Sequence, residues 1–262
     1  MSMLADRRPG AEVYYPEGPH MPEGDMQTRR RMELVVALRG WLGEHRPDAW
    51  VCCDINIYYR EGDPRVVVAP DVAVAFGVDA ATQENKGTYK VWEAGAPPSF
   101  ALEIASPNTF RTDLYEKPDR FADLGVEEYW RLDPTGGELY GTPLAAEHRR
   151  NGRWESIPIT SQHPDAHGVQ LRGHSTALGL DLCWAPPKLR LYYPPTRTWL
   201  PDHDDLAARV QAEAAARQAA EDRVQAEAAA RQAAEDRVQA EAAARQAAEA
   251  ELEALRQRLD QS

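Results

Sequence analysis

From Arg209 the chain repeats itself. RVQAEAAARQAAED fills residues 209–222, returns unchanged at 223–236 and nearly unchanged at 237–250. A period of fourteen is two heptads, the residue types are strong helix formers, and neither Gly nor Pro occurs after Asp202, so residues 203–262 predict one long helix. That leaves about 200 residues for a core, which is ample. The expected division is an N-terminal arm over 1–24, a globular domain over 25–202 and a helical tail over 203–262 with coiled-coil repeats. One seam of the tail runs Leu206, Val210, Glu213, Arg217, Ala220, Val224 and onward to Leu252, Leu255 and Leu259, alternating apolar with Glu/Arg layers. A strong dimeric zipper keeps both seam positions apolar. Two readings stay open: weak homo-oligomerisation or partner recruitment through 203–262, concentrated at Leu252–Leu259, or a solvated single helix. Glu213/Arg217, Glu227/Arg231 and Glu241/Arg245 stand at the favourable four-residue spacing.

The net charge of −12 includes −5 in residues 203–262, where eight Arg face thirteen Asp or Glu, and hence −7 in residues 1–202. An acidic balance argues against a broad basic nucleic-acid face, although Arg29–Arg31 and Arg149, Arg150, Arg153 form local basic clusters. There is no apolar run long enough for a membrane span and no secretory leader pattern at the start, so a cytoplasmic protein without membrane partners is expected. Cys52, Cys53 and Cys183 are odd in number and two are adjacent, which suits small buried thiols in a reducing compartment rather than disulfides.

Within the domain, Ser99–Asp133 predicts strand, helix, strand. Phe100, Leu102 and Ile104 alternate with Ala101, Glu103 and Ala105, so the large side chains share one strand face and Glu103 sits on the other between two alanines. Ser106, Pro107 and Asn108 end that strand. Leu114, Phe121 and Leu124 recur at helical spacing, Pro118 is tolerated near a helix start, Gly125 suits a helix end, and Val126–Asp133 reads as the return strand. The same arrangement occurs upstream, where Asp71, Ala73 and Ala75 share one face and Val72, Val74 and Phe76 the other, after Pro70 interrupts a valine-rich run.

The remaining stretches are read more coarsely. Met32, Val35, Val36, Leu38 and Leu42 fit an amphipathic helix from Asp25, a candidate cap, to about Glu44, with Glu33 either solvated or facing the site. Ala49–Tyr59 reads as a strand turning at Glu61–Pro64 into the next, a hairpin. Val78–Pro98 reads as a loop-rich insertion, Glu138–Ile159 as short antiparallel strands with Trp154 packed, and Leu178–Trp184 and Leu189–Tyr193 as closing strands. His163, His167 and His174 lack a metal-ligand pattern.

Two carboxylates, Asp71 and Glu103, on strands whose other faces are buried are costly to hold together unless a cation offsets them. Mg²⁺ or Mn²⁺ would do so, being held by one or two carboxylates while keeping several waters. Lys117, at the start of the helix after the Glu103 strand, is the best-placed amine to stabilise charge on a phosphate.

Pro70-Asp71, Leu102-Glu103-Ile104-Ala105-Ser106-Pro107, Asp113, Glu116-Lys117-Pro118 and Gly125 to Trp130 with Asp133 resemble the Uma-type family, a restriction-endonuclease branch of the PD-(D/E)XK nucleases. The resemblance spans roughly residues 25–195. It implies an α/β (α+β) fold: a restriction-endonuclease-like mixed sheet core flanked by helices, followed here by the long C-terminal helix. It also implies Mg²⁺ at Asp71 and Glu103, DNA as substrate, and a lysine relocated to Lys117, because Ala105 stands where that family usually has it. Ser106, Asp113 and Tyr129 match positions that orient such a site. Two functions remain: a Mg²⁺-dependent endonuclease, or a catalytically silent nuclease-fold module that works through its tail.

Overall fold

The computed structural model describes residues 13–16, 24–83 and 86–260, apart from the side chains of 25 and 252–260. Its elements in chain order are α1 (Asp25–His45), β1 (Ala49–Cys52), β2 (Asn56–Tyr58), β3 (Val67–Val68), β4 (Val72–Phe76), α2 (Ala80–Gln83), β5 (Thr88–Lys90), α3 (Val91–Ala94) and β6 (Phe100–Ile104). There follow α4 (Phe110–Tyr115), α5 (Lys117–Leu124), β7 (Glu128–Leu132), β8 (Leu144–Arg150), β9 (Arg153–Ser156), β10 (Ile159–Ser161), β11 (Leu171–Ser175), β12 (Leu180–Ala185), β13 (Lys188–Tyr193), β14 (Thr198–Trp199) and α6 (His203–Asp260). The chain divides into two compact units, Met1–His203 and Asp204–Ser262.

The first unit is built on a mixed six-stranded sheet in the order β1-β4-β6-β7-β8-β9, in which β6 and β7 run parallel and the other neighbours antiparallel. Period-two alternation sorts its side chains. Val72, Val74, Phe100, Leu102, Ile104 and Trp130 share one core with Leu34, Val35, Leu38 and Leu42 of α1 and with Leu180, Leu182, Trp184 and Leu191 of a five-stranded sheet, β10 to β14. Ala73, Ala75, Ala101 and Tyr129 face the opposite way, against Phe121 and Leu124 of α5 and the small sheet β3-β2-β5. At Gly173 the two large sheets come so close that a Cβ would stand 2.9 Å from the Trp130 ring.

Several local expectations are corrected by tertiary placement. Ala49–Tyr59 is two strands in two sheets, because Asp54 adopts a left-handed φ of 51° that redirects the chain. Only β2 forms the hairpin across Glu61–Pro64, with β3. The stretch 78–98 carries two short helices and β5, which runs parallel to β2 and buries Tyr89. In α1, Met32 and Val36 are exposed while Leu34 is buried, since the apolar stripe on the sheet is Leu34, Val35, Leu38 and Leu42. Its N-cap is Gly24, not Asp25, whose side chain lies outside the described residues. Glu33 is paired with Arg29 and Arg30 at 3.1 and 2.6 Å rather than solvated. The helix between β6 and β7 is broken into α4 and α5 at Glu116, one residue before Lys117-Pro118. Gly125 closes α5 at φ 97°, which lets β7 return parallel to β6.

Most of the expected arm lies outside the described residues, but 13–16 includes Tyr15, whose hydroxyl accepts from the Gly62 N–H at 2.7 Å, and Pro16, whose carbonyl accepts from Tyr58 and Asn56. In the second unit α6 is continuous. Its arginines pair forward, Arg217 with Glu221, Arg231 with Glu235 and Arg245 with Glu249, instead of back to Glu213, Glu227 and Glu241. Each arginine has a glutamate four residues to either side, and its single fork holds one of them. Val210, Val224 and Val238 are each about two-thirds exposed, and the Leu252–Leu259 seam lies outside the described side chains. No helix among the described residues is long and apolar enough to cross a membrane.

Candidate active site

The antiparallel register of β4 and β6 pairs Ala73 with Ala101 and Val72 with Leu102. Continued by one residue, it sets Asp71 opposite Glu103 on the face of Ala73 and Ala101. Small alanines leave room there, and a cleft of about 530 Å³ opens over it, lined by Asp54, Asp71, Glu103, Ser106, Asn108 and Lys117 among others. Asp71 precedes the first ladder residue of β4, and its Oδ2 takes the place of a strand carbonyl, accepting the Ile104 N–H at 2.6 Å. Arg31 of α1 lies 3.6 Å from its Oδ1.

Glu103 is 2 % exposed. Its Oε2 meets the Lys117 ammonium at 2.7 Å, and its Oε1 is buried with no hydrogen-bond partner. A native structure rarely leaves such an atom unpaired. Lys117 also reaches Asp113 Oδ1 at 2.8 Å, and Asp113 is wholly buried. Asp113 Oδ2 accepts from the Tyr140 hydroxyl at 2.7 Å and from Thr109 at 3.1 Å, while the Tyr129 hydroxyl donates to the Asp113 backbone carbonyl at 2.8 Å. Ser106 Oγ accepts the Thr109 N–H as the chain turns from β6 into α4.

Burial drives the Glu103 carboxyl well above the usual carboxylate range, with Asp71 and Asp113 adding to the rise and Lys117 opposing it. Burial works against the Lys117 ammonium, but Glu103 and Asp113 outweigh it and hold the amine above its ordinary range. The Tyr129 and Tyr140 hydroxyls are raised first by burial and then by the nearby acids, so both stay protonated donors.

The three residues singled out from sequence, Asp71, Glu103 and Lys117, thus line one cleft. Sequence reasoning missed Gln27, whose amide donates to the Ile104 carbonyl at 2.9 Å, and Arg31 and Tyr140. Arg31 lay within a recognised basic cluster, and Thr109, Asp113 and Lys117 stand at successive four-residue steps, a legible helix-face signal. Nothing in the local pattern marks Gln27 or Tyr140. In the other basic cluster Arg149 donates to the Ala122 carbonyl of α5, while Arg150 and Arg153 are exposed. His174 pairs with Asp181 and His167 with Arg190, away from the cleft residues. Cys52 and Cys183 are buried, Cys53 is half-buried, and all three are free. Among the described residues no three His, Cys, Asp or Glu side chains converge as a metal-ligand cluster.

A mixed sheet with helices packed on it presents Asp71, Glu103 and Lys117 in one cleft, and the fold is of the α/β class. The model of the Uma2 family, described as "Putative restriction endonuclease", matches residues 9–178, and the chain belongs to that family. Among solved structures it is similar to a putative nuclease belonging to DUF820 from Anabaena variabilis ATCC 29413, at 18% identity over 58% of this chain and 77% of that one, with a TM-score of 0.38. No curated protein matches.

Proposed function

We infer that the chain is a Mg²⁺- or Mn²⁺-dependent endonuclease acting on DNA, with Asp71 and Glu103 as metal ligands and Lys117 beside the scissile phosphate. The observation that carries this reading is Glu103 Oε1, a buried oxygen with no partner, on a carboxylate set opposite Asp71. The cleft lining supports it: Asp54, Asp71 and Glu103 gather there beside Lys117, a setting in which a bound cation offsets like charge. One or two carboxylates suit an ion that keeps several waters, as Mg²⁺ does. Such an ion supplies a polarised water and a counter-charge for the phosphate. Asp71 and Glu103 would hold the ion from neighbouring strands on one sheet face, and the Lys117 ammonium would face charge developing on the substrate.

We further take 25–202 as the nuclease domain and 203–262 as a separable tail. Free thiols at Cys52, Cys53 and Cys183 accord with a cytoplasmic setting. A second reading, a silent module acting through the tail, draws on the exposed valine row at 210, 224 and 238. Plasmid nicking decides between them. The expected result is nicking with Mg²⁺ or Mn²⁺ that stops with chelator and is lost in Glu103→Gln; no cleavage with any divalent ion, or parent-rate cleavage by the variant, overturns the endonuclease.

A further inference from the structure

We propose that Asp113, braced by Tyr140 and Thr109, is the positioning residue that places the Lys117 ammonium over Glu103. Its consequence for cleavage rests on the nuclease reading above; its geometry does not. Position 105, two residues after Glu103, is alanine, so strand β6 offers no amine of its own. The amine arrives instead at the end of a four-carbon stem from the first turn of α5, and a flexible stem needs an anchor to hold one place.

Asp113 has what such an anchor requires. It is 0 % exposed, and a buried carboxylate is costly to retain unless nearby charge and donors compensate it. Oδ1 lies 2.8 Å from the Lys117 ammonium as an ion pair and has no hydrogen-bond partner, while Oδ2 accepts from Tyr140 at 2.7 Å and Thr109 at 3.1 Å. Tyr140 is itself held in place, because the buried Asp133 carboxylate accepts the N–H groups of Leu139 and Tyr140 at 2.8 and 2.9 Å. From β7, Tyr129 grips the Asp113 backbone. The relay therefore runs from Asp133 through the Tyr140 loop to Asp113, then to Lys117 and Glu103. With the ammonium held on Oε2, Glu103 Oε1 is left buried and without a hydrogen-bond partner.

Asp113→Asn breaks a buried ion pair and risks unfolding; Tyr140→Phe removes one hydroxyl and nothing else, and Thr109→Val checks it independently. Two readouts are taken on the full chain. In metal-free protein, the ¹H–¹⁵N signal of the Lys117 ammonium, assigned by its disappearance in Lys117→Arg, reports how firmly the amine is held. In Mn²⁺-supported cleavage, kcat and KM are separated, and Mn²⁺ affinity is titrated without DNA. We expect Tyr140→Phe to lose the slowly exchanging signal and about tenfold in kcat, with KM and Mn²⁺ affinity within about twofold of the parent. A variant that keeps both signal and kcat overturns the positioning role, as does one whose losses merely track a lower folded fraction. If the parent cuts nothing while its ammonium signal still depends on Tyr140, the anchor stands and the nuclease reading falls.

Discussion

Glu103 and Glu128 are buried glutamates on adjacent parallel strands, 2 % and 3 % exposed, and they face opposite sides of the same sheet. Glu128 points into the core shared by the two large sheets and is fully engaged, accepting from Trp130 Nε1 at 3.0 Å, Ser175 Oγ at 2.6 Å and the Ala177 N–H at 2.9 Å. It ties β7 to the end of β11. Glu103 points into the cleft, holds one lysine, and keeps one oxygen with no partner. The contrast teaches that burial of an acid does not by itself mark a site. Glu128 has its oxygens taken by donors of its own fold; Glu103 retains capacity that the fold leaves unused.

The comparison breaks most visibly in activity. Glu103→Gln is expected to cost at least about a thousandfold in divalent-ion-supported cleavage, some 4 kcal/mol of transition-state stabilisation, and to abolish the rise in melting temperature that Mg²⁺ gives the parent. Retention of that rise would show the ion bound elsewhere. In chelator, a pH series sharpens the point. A carboxyl whose folded pKa lies above its unfolded value favours folding at low pH and loses that contribution as pH rises. Glu103→Gln should therefore gain stability on the parent as pH rises through and above the ordinary carboxylate range; a variant that loses ground instead would contradict the raised carboxyl.

Glu128→Ala should do the reverse, lowering metal-free stability by at least about 2 kcal/mol, because three buried donors lose their acceptor, while the kcat of the folded fraction stays near the parent. Chemical denaturation beside cleavage kinetics checks both halves. Asp71 stands between the two cases. Like-charge repulsion alone would make Asp71→Ala harmless to the metal-free fold, but Asp71 also satisfies the Ile104 N–H, so the alanine variant should lose about 1–3 kcal/mol that Asp71→Asn, which keeps an acceptor oxygen, largely retains. Neither variant should cleave, and equal stability of the two would show that the Ile104 bond contributes nothing.

The smallest effect is expected from removing the tail. The hydrophobic clusters of the first unit contain no residue beyond Leu200, so deleting 203–262 should move neither its melting temperature nor its cleavage rate measurably. Sedimentation of the two forms then reports what the tail adds, and a truncated protein that unfolds would place the tail in the core.

Residues 99–133 show how much was written locally and where that ended. Alternation around Glu103 and around Asp71, the break at Ser106-Pro107, the helix start at Pro118 and the left-handed turn at Gly125 all act within a few residues, so the chain itself dictates them. The repeat of the tail dictates its helix for the same reason. What no local pattern carries is which elements meet. The β4–β6 register that faces Asp71 with Glu103, the second sheet that covers Phe100, Leu102 and Ile104, and the split of Ala49–Tyr59 between two sheets depend on burying side chains from distant parts of the chain together. Tyr140 and Gln27 became part of the cleft's surroundings only through such pairings, 27 residues from Asp113 and 77 from Ile104. Sequence determined the strands, the helices and the acids they carry; the tertiary structure decided their partners, because a buried carboxylate is stabilised only by whatever charge and donors packing brings beside it.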